Sequence, residues 1–251
     1  MGENDSILSA NALYHVYSSK AEDGNVVALR GLHVNVKKGE AVAVVGPSGS
    51  GKSTLLNILS LIDKPTAGSV KIDDRLINYI DLSINDKIRA KKIGIIYQQN
   101  NLLPDFTALE NVLIPLLNAG YSREISLKEA NKTLSMVNLS KRVNHFPSEL
   151  SGGEQQRVAV ARVLIQDPQI VLADEPVASL APYRSEELIK LLVDLTIKRD
   201  KTFIASLHKL ELVREYFTRV IGLREGHVTF DVPVSKLNEK MIAQLYSLDA
   251  S

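Results

Sequence analysis

Apolar positions along the chain follow two different periods. Ala41–Val45 is an unbroken apolar, β-branched run bounded by the turn signal Lys37–Glu40 and by a glycine-rich stretch, which predicts a buried strand. Thr54–Ile62 then reads as a helix. Upstream, Leu8–Tyr17 and Val27–Val36 predict strands separated by a polar turn at Ser18–Asn25. Pro65–Gly68 breaks the chain, and Ser69–Ile72 and Ile93–Tyr97 predict two further strands. From Gln98 to about Gln166 the pattern changes: Ala108–Ala119, Leu127–Leu139 and Gln155–Gln166 carry helical spacing, and the block reads as a helical insertion. Within it, the stripe Leu109, Val112, Leu113, Leu116 and Leu117 predicts core. Alternation then resumes with a strand at Ile170–Ala173, a helix at Ser185–Arg199 and a strand at Thr202–Ser206. Val220–Leu223, Glu225-Gly226 and His227–Phe230 predict a hairpin, and a last helix is predicted near Val234–Leu248. Strands alternating with helices predict an α/β architecture whose mostly parallel sheet is covered on both faces.

Composition narrows the classes. A chain of 251 residues suffices for one large domain, or a core plus a subdomain. At 45% hydrophobic and 24% charged it is ordinary for a soluble globular protein. A net charge of +1 leaves no bulk electrostatic footprint for nucleic acid, so no nucleic-acid partner is expected. The absence of cysteine excludes disulfides and thiolate metal sites. Met1–Ala10 lacks the apolar segment of a secretory signal, and no apolar run approaches the length needed to cross a bilayer. A membrane role is therefore expected to run through a partner.

The glycine-rich stretch after the first buried strand is Gly46-Pro47-Ser48-Gly49-Ser50-Gly51-Lys52-Ser53, followed by Thr54. It matches the phosphate-binding pattern G-x-x-x-x-G-K-[ST] between strand and helix, the context that confirms the motif. Glycines let successive backbone N–H groups turn toward phosphate oxygens, and the helix start adds its positive dipole end. Lys52 is placed to reach the outer phosphates and Ser53 to put its hydroxyl on Mg²⁺. The dinucleotide fingerprint G-x-G-x-x-G fails, because Thr54 stands where its last glycine belongs.

Two further clusters carry chemistry. The strand Ile170–Ala173 ends in Asp174-Glu175, and paired carboxylates at the edge of a buried strand are costly unless a cation or a proton uses them. Asp174 fits a Mg²⁺ role, through water, and Glu175 a general base for an attacking water; a plain strand-to-loop exit is the alternative. Leu150-Ser151-Gly152-Gly153-Glu154-Gln155-Gln156 opens a helix. Ser151 and Glu154 form a capping box by spacing, which leaves the two glycines unexplained, since each costs about 1 kcal/mol in a helix against alanine. Bare backbone at a helix N-terminus is what an anion needs for close approach.

With these residues in this order, the chain resembles the nucleotide-binding subunits of ATP-binding-cassette (ABC) transporters over nearly its whole length. The resemblance implies a P-loop NTPase fold with a RecA-like, mostly parallel core sheet, an antiparallel β subdomain and an inserted α-helical subdomain. It implies one domain over 1–251, with core and β subdomain in 1–97 and 167–251, and the signature-bearing helical subdomain in 98–166. Tyr17 falls where the family stacks an aromatic on adenine, although a strand tyrosine needs no such role. Gln98 matches the glutamine that senses Mg²⁺ and the attacking water, with Gln99 adjacent. His208 matches the histidine that contacts the γ-phosphate. Two copies are implied to face each other head to tail, each ATP lying between Lys52 and its loop on one and Ser151-Gly152-Gly153 on the other. A transmembrane permease on separate chains is the implied partner, so this chain would touch a membrane only through it, on the cytoplasmic face of the inner membrane.

Two departures from the family pattern stand out. Ala181 replaces an aspartate that helps couple the two sites, which implies reduced or retuned turnover, and Lys209 stands where an aspartate often follows the histidine. Asn101–Val112 resembles the lipoprotein-releasing, macrolide-exporting and cell-division branch, whose ATPases drive mechanotransmission. Glu175–Leu180 also resembles phosphonate importers. In the family, the permease docks near Gln98–Phe106. A regulator of a membrane or cell-wall complex, or a scaffold that hydrolyses little, are the alternative readings.

Overall fold

The protein is described here by a computed structural model covering residues 6–18 and 24–247. Most of the predicted turn Ser18–Asn25, Leu248 at the end of the predicted last helix, and the first half of Met1–Ala10 lie outside the described residues.

Strands β1 (Ser6–Tyr17) and β2 (Val26–Lys37), both predicted as strands, pair antiparallel. The ladder shifts register between Ala10 and Leu13, where Ala12 adopts a φ of 47°, a bulge that increases local twist. β3 (Ala41–Val45) is buried along its whole length and leads through the phosphate loop into α1 (Lys52–Leu59). β4 (Ala67–Ile72) and the two-residue β5 (Arg75–Leu76) complete a four-stranded antiparallel sheet of order β2-β1-β4-β5.

α2 (Leu82–Lys92) was not predicted. It is rich in Asp, Lys and Arg, with too few apolar positions for a periodic face, and it starts because the Asp81 carboxylate accepts from the Ile84 N–H. β6 (Ile93–Ile96) follows, then the helices α3 (Ala108–Asn118), α4 (Arg123–Met136) and α5 (Gly152–Leu164). α4 begins four residues before the predicted segment because Ser122 caps it, accepting from the Ile125 N–H. The predicted stripe of α3 is only partly core: Val112 and Leu113 are buried, whereas Leu117 is exposed.

β7 (Ile170–Asp174), α6 (Pro182–Ile197), β8 (Thr202–Ser206), α7 (Leu210–Tyr216), β9 (Arg219–Arg224) and β10 (His227–Pro233) close the architecture. α6 starts at Pro182, a residue suited to a first helical position, earlier than its apolar period indicates. The predicted last helix divides into a 3₁₀ turn at Val234–Lys236 and α8 (Glu239–Tyr246), separated where Asn238 caps the second.

The six-stranded sheet has order β10-β9-β3-β8-β7-β6, parallel throughout except for the β9–β10 hairpin. Its two faces divide the core. Ala41, Ala43 and Val45 of β3, with Phe203 and Ala205 of β8, join a cluster that runs into α3–α6. Val42 and Val44, with Leu172 and Ile204, face the other way onto α1 and the antiparallel sheet. Burial on both faces is why these strands are continuous apolar runs. Among the described residues no helix is long and apolar enough to cross a membrane.

Phe203 is completely buried and stacks on Phe217, ring centroids 5.6 Å apart. Phe203→Ala is expected to lower unfolding free energy by ~3–5 kcal/mol, read from the midpoint and slope of a urea titration.

Candidate nucleotide site

The phosphate loop is held in shape by contacts only glycine permits. Gly46 has φ 155°, and a Cβ there would lie 2.1 Å from the Leu223 carbonyl oxygen of β9. Gly51 has φ 102°, and its Cβ would lie 2.6 Å from the Ala28 carbonyl oxygen of β2. The loop is thus pressed between both sheets at once. Gly51 is also the N-cap of α1 and offers no side-chain cap, which leaves the helix-start N–H groups available to an anion.

Lys52 is only 4% exposed. Its ammonium donates to the carbonyls of Gly46 and Pro47, both at 2.9 Å. Burial lowers its pKa, an effect opposed by the negative charges of Glu175 and Asp174. Negative phosphate oxygens brought beside it would likewise favour its charged form. At the other end of the loop, the Gly46 backbone hydrogen-bonds the Tyr246 phenol of α8, whose pKa burial pushes up.

A cleft of about 320 Å³ brings the predicted residues Tyr17, Ser48, Gly49, Lys52, Ser53 and Glu175 onto one surface. Tyr17 keeps 43% of its surface exposed, its hydroxyl lies 3.2 Å from Thr54 Oγ1, and His15 packs edge-on against its ring at 4.5 Å. An open aromatic face beside a phosphate loop suits a nucleobase.

The catalytic candidates meet at the C-terminal ends of β7 and β8. Ser206 Oγ donates to Asp174 Oδ1 at 2.6 Å and accepts from the Glu175 N–H at 2.8 Å. Glu175 has a φ of 45°, a left-handed conformation that costs a non-glycine residue about 1–3 kcal/mol. That turn aims its carboxylate at His208, whose Nε2 is 2.6 Å from Glu175 Oε1. Ser206, fully buried, was not singled out from the sequence. The available signal was a hydroxyl ending an apolar strand, but its role needs the register that pairs it with Asp174.

A divalent cation fits this donor set. Ser53 is exposed, and Asp174 Oδ2 has no hydrogen-bond partner among the described residues. No cluster of three or more His, Cys, Asp or Glu side chains suited to a metal occurs among the described residues. The remaining ligands would have to be water and phosphate oxygens, the habit of Mg²⁺. Gln98 is exposed two residues beyond β6, whose Ile96 pairs with Ala173 of β7, and it does not line the cleft.

Ser151, Gly152, Gly153 and Glu154 do not line the cleft. Ser151 caps α5, and Glu154 answers by accepting from both the N–H and the hydroxyl of Ser151, so the capping-box reading holds. These bonds, backbone first, hold the Glu154 carboxyl down at about 2. Neither Gly152 nor Gly153 has positive φ. A Cβ at Gly152 would meet nothing within 4 Å, and one at Gly153 only ordinary contacts. The packing of a single copy therefore demands neither glycine.

The segment after β6 is tied to α5. Gln156 donates to the Tyr97 carbonyl, Asn100 to Gln155, and Arg162 to the carbonyls of Asn100 and Asn101. Buried Asn111 donates to the carbonyls of Leu103, Phe106 and Thr107 and accepts from the Leu103 N–H, a second organising residue the sequence did not reveal. The loop it shapes leaves Phe106 40% exposed.

Comparison with known proteins agrees with this geometry. The profile of the ABC transporter family matches residues 29–178. The lipoprotein-releasing system ATP-binding protein LolD 2 of Caulobacter vibrioides is 40% identical over 90% of this chain and 97% of its own. An uncharacterized ABC transporter ATP-binding protein of Methanocaldococcus jannaschii, MJ0796, is 44% identical over 81% of this chain and 88% of its own. A dimeric structure of the cassette MJ0796 in a post-hydrolysis state, bound to ADP and Pi, superposes with a TM-score of 0.83 at 40% identity, over 90% of this chain and 98% of that one.

Ser206→Ala is expected to lower the ATPase kcat roughly tenfold to hundredfold through misplaced Asp174 and Glu175, with fluorescent-nucleotide affinity retained. Unchanged kcat would remove Ser206 from the site.

Proposed function

The chain belongs to the ABC transporter family, as an ATP-binding, ATP-hydrolysing transporter subunit, and from that premise we propose that two copies close head to tail around two Mg-ATP to drive a separate membrane permease. The observation that carries this reading is the division of the site: Lys52, Tyr17 and Glu175 share one cleft, while the glycines of the α5 N-terminus do not line it and are not demanded by packing within one copy. A two-fold axis supplies each cleft with the missing helix end from the other copy. The post-hydrolysis dimer of the related cassette supports this arrangement.

Tyr17 stacks on the adenine, and residues 46–54 wrap the phosphates. Ser53, Asp174 and Gln98 would hold Mg²⁺, in part through water, and that ion when bound supplies charge neutralisation on the β- and γ-phosphates. Glu175 orients a water toward the γ-phosphorus. The water oxygen forms the new bond, the bond to the ADP oxygen breaks, and Glu175 takes the released proton. His208, beside Glu175, would contact the γ-phosphate. Lys52 and the opposing N–H groups of residues 151–154 stabilise the charge that develops. Nucleotide favours the closed pair because both halves contact it, and hydrolysis removes that preference.

Residues 98–166 serve as the signature-bearing subdomain, and the loop carrying Leu103 and Phe106 as the permease dock; both side chains are exposed there. The relatives named for lipoprotein release favour an export or mechanotransmission motor on the cytoplasmic face of the inner membrane.

Glu175→Gln is expected to bind ATP with near-normal affinity while kcat falls about 10²–10⁴-fold, the range of a lost general base. Steady-state phosphate release and nucleotide titration together test this; near-normal turnover would remove Glu175 from the base role.

A further inference from the structure

The loop after Glu175 ends in Ala181, which caps α6 without any side-chain hydrogen bond. One turn on, Arg184 reaches back to the start of α5. A Cβ on Gly153 would lie 3.4 Å from Arg184 Cδ and 3.7 Å from its Nη1. The same point lies 3.9 Å from Nη1 of Arg157. Two guanidinium groups therefore converge on the backbone of Gly153, at the positive end of the α5 dipole.

Arg157 lines a cleft with Glu186, Glu187 and Asp194, and Asp194 pairs with Lys198. Among the described residues neither arginine forms a hydrogen bond or ion pair, and Arg157 Nε is buried without a partner. Glu154, the nearest carboxylate in sequence, is engaged by Ser151 and by Arg142. Glu186 accepts from the Tyr216 hydroxyl, and Glu187 interacts with Tyr183. An acid at 181 would stand three residues before Arg184, the spacing of a helical ion pair, and this chain has alanine there. Like charges gathered at a helix N-terminus repel one another unless an anion joins them.

We infer that Arg184, with Arg157 behind it, supplies in trans a contact to the terminal phosphate of the nucleotide held by the phosphate loop of the second copy. This rests on the head-to-tail reading above. A guanidinium fork matches two phosphoryl oxygens, and the charge spread over them in phosphoryl transfer is what such a group stabilises. Ala181 has a physical sense on this account: it leaves Arg184 unpaired for the incoming phosphate.

The test uses the full chain in a Glu175→Gln background, which accumulates the ATP-bound state. Pairing is followed by sedimentation against Mg-ATP and protein concentration, and fluorescent-nucleotide affinity is read at dilutions where only single copies exist. Arg184→Gln is expected to leave single-copy affinity unchanged and to weaken pairing at least about tenfold; Arg184→Lys recovers part of it. Ala181→Asp is expected to weaken pairing as well, by capturing Arg184. Mixed pairs separate the trans contact from a folding defect. Lys52→Ala mixed with Arg184→Gln leaves the single occupied cleft facing an intact Arg184, and pairs like Lys52→Ala mixed with the parent. The double variant Lys52→Ala/Arg184→Gln mixed with the parent leaves that cleft facing the altered residue, and pairs poorly. Equal pairing in the two mixtures, or full pairing by Arg184→Gln alone, overturns the contact while the head-to-tail reading stands. Failure of the Glu175→Gln parent to pair with ATP overturns both.

Discussion

An ammonium group held almost out of water is the constraint around which the site is arranged. Lys52 satisfies itself on two carbonyls of its own loop and on the field of two carboxylates at the end of a neighbouring strand. Such a charge is costly to bury without compensation. The glycines that bring those carbonyls into reach are fixed in turn by close approach to both sheets. The antiparallel sheet is therefore more than an appendage. It supplies the Ala28 carbonyl against which Gly51 is pressed, as well as the aromatic beside the cleft.

Parallel pairing does the rest of the assembly. β7 and β8 run side by side from Ile170 and Thr202, so their ends arrive together, and Asp174 faces Ser206 in register. One hydroxyl then serves two neighbours, donating to a carboxylate and accepting from the amide of the strained residue after it. Polar groups clustered outside the carboxyl ends of parallel strands are the usual ligand location in open α/β sheets. The left-handed turn at Glu175 is tolerated because that amide is bonded and the surrounding strands are rigid.

Much of this was legible in the sequence because it is local. The strand, loop and helix of residues 41–59, the paired acids closing β7 and the hairpin of β9 and β10 each announce themselves within a dozen residues. The family resemblance added the order of the motifs. What stayed hidden was non-local or weakly patterned. Ser206 and Asn111 act through partners that only the fold brings near, and Arg184 lies beside a glycine far upstream. α2 escaped because its residues are too polar to show a period, and the ends of α4 and α6 moved because caps, not apolar spacing, decide where a helix begins.

The hydrogen bonds that lace residues 97–101 to α5 have a mechanical meaning. They run along one side of a stiff helix, at Gln155, Gln156 and Arg162, while the tip that carries Ser151 lies only one turn beyond the first of them. A rod clamped at several points along its length swings as one piece. Displacement delivered to residues 97–101 would thus reach the far tip as a rotation, with little lost in bending, and the same linkage run backwards would turn a grip on the tip into a pull on that segment.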